Sequence, residues 1–167
     1  MMISDKMAAR LNEQIKNEFY SYWLYLSMAF SLETMNLRVF GEWFHIQANE
    51  EQEHAMKFAK YLIDQGADVK LQALPEPKTK FASVQEICQG AVDHELQITK
   101  NINDLMDLAR AEKDHATEAF LHWFVGEQVE EVASVKELLE MVKLAQTAGQ
   151  ILMLEGRVYQ LVQGRKK

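Results

Sequence analysis

The chain has 167 residues, 48% of them apolar, with 25 acidic and 18 basic side chains and a formal net charge of −7. That length suits one domain with its own core, the apolar share excludes intrinsic disorder, and the acidic balance argues against a nucleic-acid partner. Only 2 prolines and 7 glycines occur, where average usage gives roughly twenty together, which excludes most sandwiches, barrels and loop-rich folds.

A single cysteine, Cys88, rules out a disulfide framework, a CxxC pair and a thiolate-held metal cluster. No targeting segment is visible before Asp5-Lys6, and no apolar run approaches membrane-spanning length. The expectation is a soluble, cytoplasmic, all-α domain with no membrane partner.

The first predicted helix covers about 5–33, with Leu11, Ile15, Tyr22, Tyr25 and Ala29 at helical spacing and Ser4 as N-cap. Glu33-Thr34-Met35-Asn36 reads as a short turn, with Asn36 capping the next helix. That helix, about 37–65, places Phe40, Phe44, Ala48, Ala55, Phe58 and Leu62 on one face and stops at Gly66. Residues 67–82 hold both prolines, Pro75 and Pro77, and show little periodicity, so they read as a long connection. Ser83-Val84-Gln85-Glu86 is a capping-box pattern opening a third helix, about 84–111, with Cys88, Ala91, Val92, Ile98, Ile102 and Leu105 inward. After a turn at Glu112-Lys113-Asp114, a fourth helix over about 115–145 turns Phe120, Phe124, Val135 and Leu138 inward. A fifth, about 148–163, is amphipathic through Ile151, Leu154, Val158 and Leu161 and ends at Gly164, with Arg165-Lys166-Lys167 as a solvated tail.

Short turns make antiparallel hairpins of helices one–two and three–four. A helix of this length spans roughly 42 Å, and the connection reaches roughly 53 Å when extended, so it can run the length of the bundle and set helices two and three parallel. The architecture expected is a single domain: a four-helix bundle with one long crossover and a short fifth helix whose apolar face needs a further surface, such as a neighbouring chain.

Each long helix carries a glutamate inside its apolar stripe. Glu18 lies among Leu11, Ile15, Tyr22 and Tyr25; Glu51 among Phe44, Ala48, Ala55 and Phe58; Glu95 among Cys88, Ala91, Ile98 and Ile102; Glu131 among Phe124, Val135 and Leu138. One such acid could lean into solvent from a stripe edge. Four together demand neutralisation, because an isolated buried carboxylate costs several kcal/mol. Bases such as Lys6, Lys16, Lys57 and Lys100 fall on other faces, which leaves cations from solution.

Glu51-x-x-His54 sets two ligands at i and i+3, and Gln128-x-x-Glu131 repeats the spacing. Glu18, Glu50, Glu51 and His54 map onto Glu95, Glu127, Gln128 and Glu131 by a constant shift of 77. Counted from the two turns, the six inward side chains Glu18, Glu51, His54, Glu95, Gln128 and Glu131 fall at one level, roughly 26 Å from each. Two facing carboxylate-rich half-sites read as a di-metal centre, and oxygen ligands with one imidazole suit iron or manganese, with iron the default.

With these residues in place, the chain resembles the bacterial non-haem ferritins from about Ser4 to Gly164. The resemblance implies the ferritin-like form of the bundle, with Glu18, Glu51 and His54 holding one iron. Glu51 would bridge to a second iron held by Glu95 and Glu131, with Gln128 as ligand or neighbour. It further implies a third iron site at Glu50, Glu127 and Glu130, and electron-donating aromatics at Tyr25 and Trp123, for both of which core packing is the plainer alternative. The implied function is iron storage with ferroxidase activity. Fe(II) would be oxidised by O2 or H2O2 and stored as ferric mineral in a hollow homo-oligomer of 24 subunits, the fifth helices gathered on its four-fold axes. The same fold also serves di-iron oxidases or peroxidases that store nothing, which is the alternative.

Departures from relatives matter too. The second half lacks the histidine of a second Glu-x-x-His, so the two metals are unequal and the second is held less tightly. Gln52 stands where bacterioferritins carry the haem-ligating methionine, so no haem is expected. His45 and His122, also 77 apart, lie off the metal face, and His94 and His115 read as solvated. Cys88 and the methionines read as core filling, and Trp23 and Trp43 as core or subunit-interface anchors.

Overall fold

The structure is a computed structural model that describes residues 2–165. Among these, five helices follow in order: α1 (Asp5–Thr34), α2 (Arg38–Asp64), α3 (Val84–Ala111), α4 (His115–Leu144) and α5 (Ala148–Arg165). Three starts are capped by side chains that satisfy otherwise orphaned amides. Ser4 Oγ accepts from the Met7 N–H at 2.9 Å. Ser83 Oγ accepts from Glu86 at 3.1 Å while the Glu86 carboxylate reaches back to the Ala82 N–H. Asp114 accepts from Thr117 at 3.0 Å.

The start of α2 is different. Asn36 does not cap it; Asn36 is left-handed, with φ 61°, and Leu37 occupies the cap position without a side-chain bond. The Val39 and Phe40 amides donate instead to Glu155 of α5, at 2.8 and 3.2 Å. Asn36 belongs to the end of α1, where the Leu37 N–H bonds Leu32 O at 2.9 Å and the chain reverses. The same closure recurs at Gly66 (φ 74°) and at Lys113 (φ 57°), where the residue that follows bonds back to Leu62 and to Ala109.

The connection climbs beside α1. Asn12, near the start of α1, donates to Asp68 O at 3.0 Å and accepts from the Lys70 N–H at 2.6 Å, and Ser27, four turns higher, donates to Lys78 O at 2.6 Å. The crossover therefore returns the chain to the level at which α1 ends, and α3 descends parallel to α2.

The core divides into two apolar clusters with a polar layer between them. One, on the side of the α1–α2 turn, includes Phe40, Phe44, Ala48, Ala91 and Leu138; the other includes Leu11, Ile15, Phe58, Ile102 and Phe124. Phe58 of α2 stacks on Phe124 of α4 with ring centroids 4.1 Å apart.

α5 finds the further surface its apolar face needs within the same chain. It packs on its own bundle against α2 and α4, with Val158 and Val162 fully buried in the first cluster and Ile151, Leu154 and Leu161 partly so. Arg165 is not tail: it closes α5 and pairs with Glu50. Lys166 and Lys167 lie outside the described residues. No helix among the described residues is long and apolar enough to cross a membrane.

Candidate metal centre

The polar layer is built one residue per helix, with a second contribution from α2 and from α4. Glu18, Glu51, His54, Glu95, Gln128 and Glu131 are all at most 4% exposed. Ligand atoms of Glu18, Glu51 and His54 lie within 4.8 Å of one another, and so do those of Glu51, Glu95 and Glu131. Glu51 belongs to both groups. His54 presents Nδ1 to Glu51 at 3.4 Å and Nε2 to Glu127 at 3.8 Å, and a third group joins His54, Glu127 and Glu131. Of the residues expected at a third iron site, Glu127 is thus adjacent to the centre. Glu50 is half-buried and taken by Arg165, and Glu130 lies on the exposed side of α4.

Each of the four carboxylates accepts from a glutamine amide. Gln14 donates to Glu18 at 2.7 Å; Gln47 donates to Glu51 at 2.8 Å and to Glu131 at 2.7 Å; Gln128 donates to Glu95 at 3.0 Å. The Gln128 amide nitrogen also bonds Thr99 Oγ1 at 3.2 Å. Gln14 and Gln47 were not among the residues singled out from the sequence. Their signal was there: each precedes a stripe glutamate by four residues, the spacing that stacks side chains on a helix face, and the two are 33 apart like Glu18 and Glu51. The other half of the pseudo-repeat carries Ala91 and Phe124 at the matching positions, which hides the pattern.

The electrostatics are those of a site short of positive charge. Burial, then the neighbouring Glu51 charge, pushes Glu18 well above the usual carboxylate range, Glu95 up to about 8 and Glu131 up to about 9. Burial would raise Glu51 too, but hydrogen bonding to His54, the His54 charge and the Gln47 amide hold it below its ordinary value. Burial likewise opposes the His54 cation, and Glu51 with Glu127 overcomes it and raises His54. One oxygen, Glu18 Oε2, is buried without any hydrogen-bond partner. Four carboxyl groups and one imidazole in a buried layer, with Glu18 Oε2 left without a partner, suit a hard or borderline divalent cation such as Fe(II).

The Tyr25 hydroxyl donates to Glu95, and burial with the Glu95 charge raises the phenol well above its ordinary value. Trp123 is 43% exposed yet sets its ring edge-on to His54, 5.5 Å between centroids, with Lys57 Nζ 3.5 Å from the centroid of its ring. His94 is half-buried, not a freely solvated side chain: it bonds Ser21 Oγ at 2.7 Å and packs edge-on to Tyr25, and burial lowers its pKa. His45 pairs with Glu33 away from the centre, and His115 and His122 are exposed. Cys88 is buried in the core, which pushes its thiol up to about 12. Trp43 is buried, whereas Trp23 is 46% exposed.

Comparison with known proteins agrees with this geometry. A model of the ferritin-like domain matches residues 8–145. A bacterial non-heme ferritin of Bacteroides fragilis (strain 638R) is 38% identical over 148 residues, 89% of this chain and 93% of that protein. One from Campylobacter jejuni is 35% identical across 99% of this chain and 100% of its own length. The solved structure of an open pore ferritin from the archaeon Archaeoglobus fulgidus superposes with a TM-score of 0.92 at 39% identity, covering 95% of this chain and 97% of that one. With the domain model spanning most of the chain and relatives aligned along nearly all of it, the chain belongs to the ferritin family.

Proposed function

We propose that this protein stores iron, oxidising Fe(II) at the buried centre and holding the product as ferric mineral inside a hollow homo-oligomer of 24 cytoplasmic subunits. The observation that carries the reading is the membership of Glu51 in two ligand groups, which sets two cation positions side by side. The first Fe(II) is held by Glu18, Glu51 and His54, and the second by Glu51, Glu95 and Glu131, with Gln128 orienting Glu95 and haem playing no part. Paired cations neutralise carboxylates that otherwise repel, so the metals themselves repair the charge deficit of the layer.

Two Fe(II) ions supply two electrons together. With O2 and two protons they yield two Fe(III) and H2O2; with H2O2 and two protons, two Fe(III) and two waters. Tyr25, bonded to Glu95, and Trp123, beside His54, stand where a further electron can be supplied. Only one half-site has an imidazole, so the second ion is the weaker bound and the Fe(III) formed moves on, by way of Glu50, Glu127 and Glu130, to the mineral.

Aerobic titration of the apo-protein with Fe(II), followed by absorbance of soluble Fe(III), tests this. On the order of ten or more irons per chain should remain in solution, whereas saturation at about two or three would favour a non-storage di-iron oxidase. Glu18→Ala, His54→Ala and Glu131→Ala should each abolish fast oxidation with the fold retained. Wild-type rates in all three would sink the ligand assignment.

A further inference from the structure

Gln47 is fully buried on α2, one turn before Glu51, and every polar atom of its side chain is engaged. Its amide nitrogen donates to Glu51 Oε1 at 2.8 Å and across the bundle to Glu131 Oε2 at 2.7 Å. Its carbonyl oxygen accepts from Arg165 Nη2 at 2.7 Å. Turning the carboxamide over would break all three bonds and set its oxygen against two carboxylates, so the arginine selects the one orientation in which both N–H groups face the ligands. Arg165 is itself fixed: the same nitrogen pairs with Glu50, and the guanidinium lies over the Trp43 ring, 4.7 Å from its centroid. It comes from the last turn of α5, anchored by Val158 and Val162 and by the bonds of Glu155 to the α2 amides.

We infer that Gln47, locked by Arg165, is a positioning residue for the second half-site: it holds Glu131 of α4 at a set distance from the shared Glu51 of α2, so that the docking of α5 governs how tightly the second cation binds. The inference rests on the di-metal reading above. The bridge leaves Glu51 Oε2 and Glu131 Oε1 clear of Gln47, and both remain available to cations while the amide stays in place. Gln47 bonds Glu51, which both half-sites share, and Glu131, which belongs to the second but not to the Glu18–Glu51–His54 group, so the second cation has the more to lose. An amide that orients a ligand carboxylate from behind acts on affinity, and loss of such partners costs about tenfold to a hundredfold in metal binding.

The test is anaerobic titration of the full-length apo-protein with Co(II), read by its visible absorption bands against a competing chelator, independent of any oxidation. Wild-type protein takes two equivalents per chain. Gln47→Leu weakens the second about tenfold to a hundredfold and the first by less. Arg165→Ala, with its helical content and thermal midpoint checked by circular dichroism, shifts the second in the same direction. Arg165→Lys, still able to donate to the Gln47 oxygen, restores it. Two wild-type affinities in Gln47→Leu and Arg165→Ala, or equal weakening of both equivalents, would overturn the inference and leave the di-metal centre standing. Failure of the wild-type protein to take a second equivalent would overturn both.

Discussion

Glu51 sits against His54 and Gln47 and is held below its ordinary value, while burial, and after it the Glu51 charge, raises its neighbours Glu18, Glu95 and Glu131. Two consequences follow for the apo-protein. Glu95 and Glu131 have folded-state values of about 8 and about 9, above the unfolded carboxyl range. Their contribution to stability is full below about pH 4 and is lost as pH rises through those values. The midpoint of thermal unfolding of the apo-protein should therefore fall between pH 6 and pH 9, and fall less in Glu131→Gln, whose amide carries no proton to lose. Saturating Co(II) should reverse the trend, since a cation competes with protons for these oxygens and stabilises most where they are already off. A midpoint in wild-type apo-protein that rises over this range would contradict the assignment of raised values.

At the scale of the elements, local chemistry explains most boundaries. Ser4, Ser83 and Asp114 cap the helices they precede, and Asn36, Gly66 and Lys113 end them in the left-handed conformation. Lys113 has a Cβ that this conformation penalises; Lys113→Gly should stabilise the fold by about 0.5–1 kcal/mol in denaturant titration, the steric relief outweighing the added freedom of glycine in the unfolded chain. The start of α2 depends on α5 instead. Glu155→Ala should cost about 1 kcal/mol, the usual loss of a capping side chain, and hydrogen exchange should quicken at the Val39 and Phe40 amides. Unchanged protection at those two amides would mean that α5 does not cap α2 in solution.

In the whole molecule, a polar layer interrupts the core, and the two apolar clusters clamp it from either side. Phe58 and Phe124 stack between α2 and α4, and Phe124 sets its ring edge-on to His54. Phe124→Ala should cost about 3–5 kcal/mol in unfolding free energy, the usual loss for a buried aromatic, and should loosen the ligand set with it. Apolar side chains also remain outside: Trp23 and Phe30 on α1, Leu71 in the crossover, and Leu152, Met153 and Tyr159 on α5. A chain that leaves this much apolar surface exposed has more to bury in an assembly, in keeping with the proposed shell. Sedimentation of the purified protein should give a closed species of 24 chains; a monomer would remove the compartment in which mineral is held.

The sequence by itself determined the helical class, the crossover and the single level at which six buried polar side chains meet. Those are consequences of local periodicity, of turn chemistry and of counting residues along rigid rods. Asn36 shows the limit of that counting: a left-handed asparagine ends one helix as readily as an asparagine starts the next, and only the bond from Glu155 settles which. The place of α5, the capture of Glu50 by Arg165 and the seating of His94 on Tyr25 were likewise decided by the tertiary structure. Each of these depends on which groove lies open between helices that are distant in sequence, and no periodicity records that. The Gln47 bridge combines both kinds of information. Its four-residue spacing from Glu51 is written in the chain, but its second bond, to Glu131, exists only once α2 and α4 face each other across the buried layer.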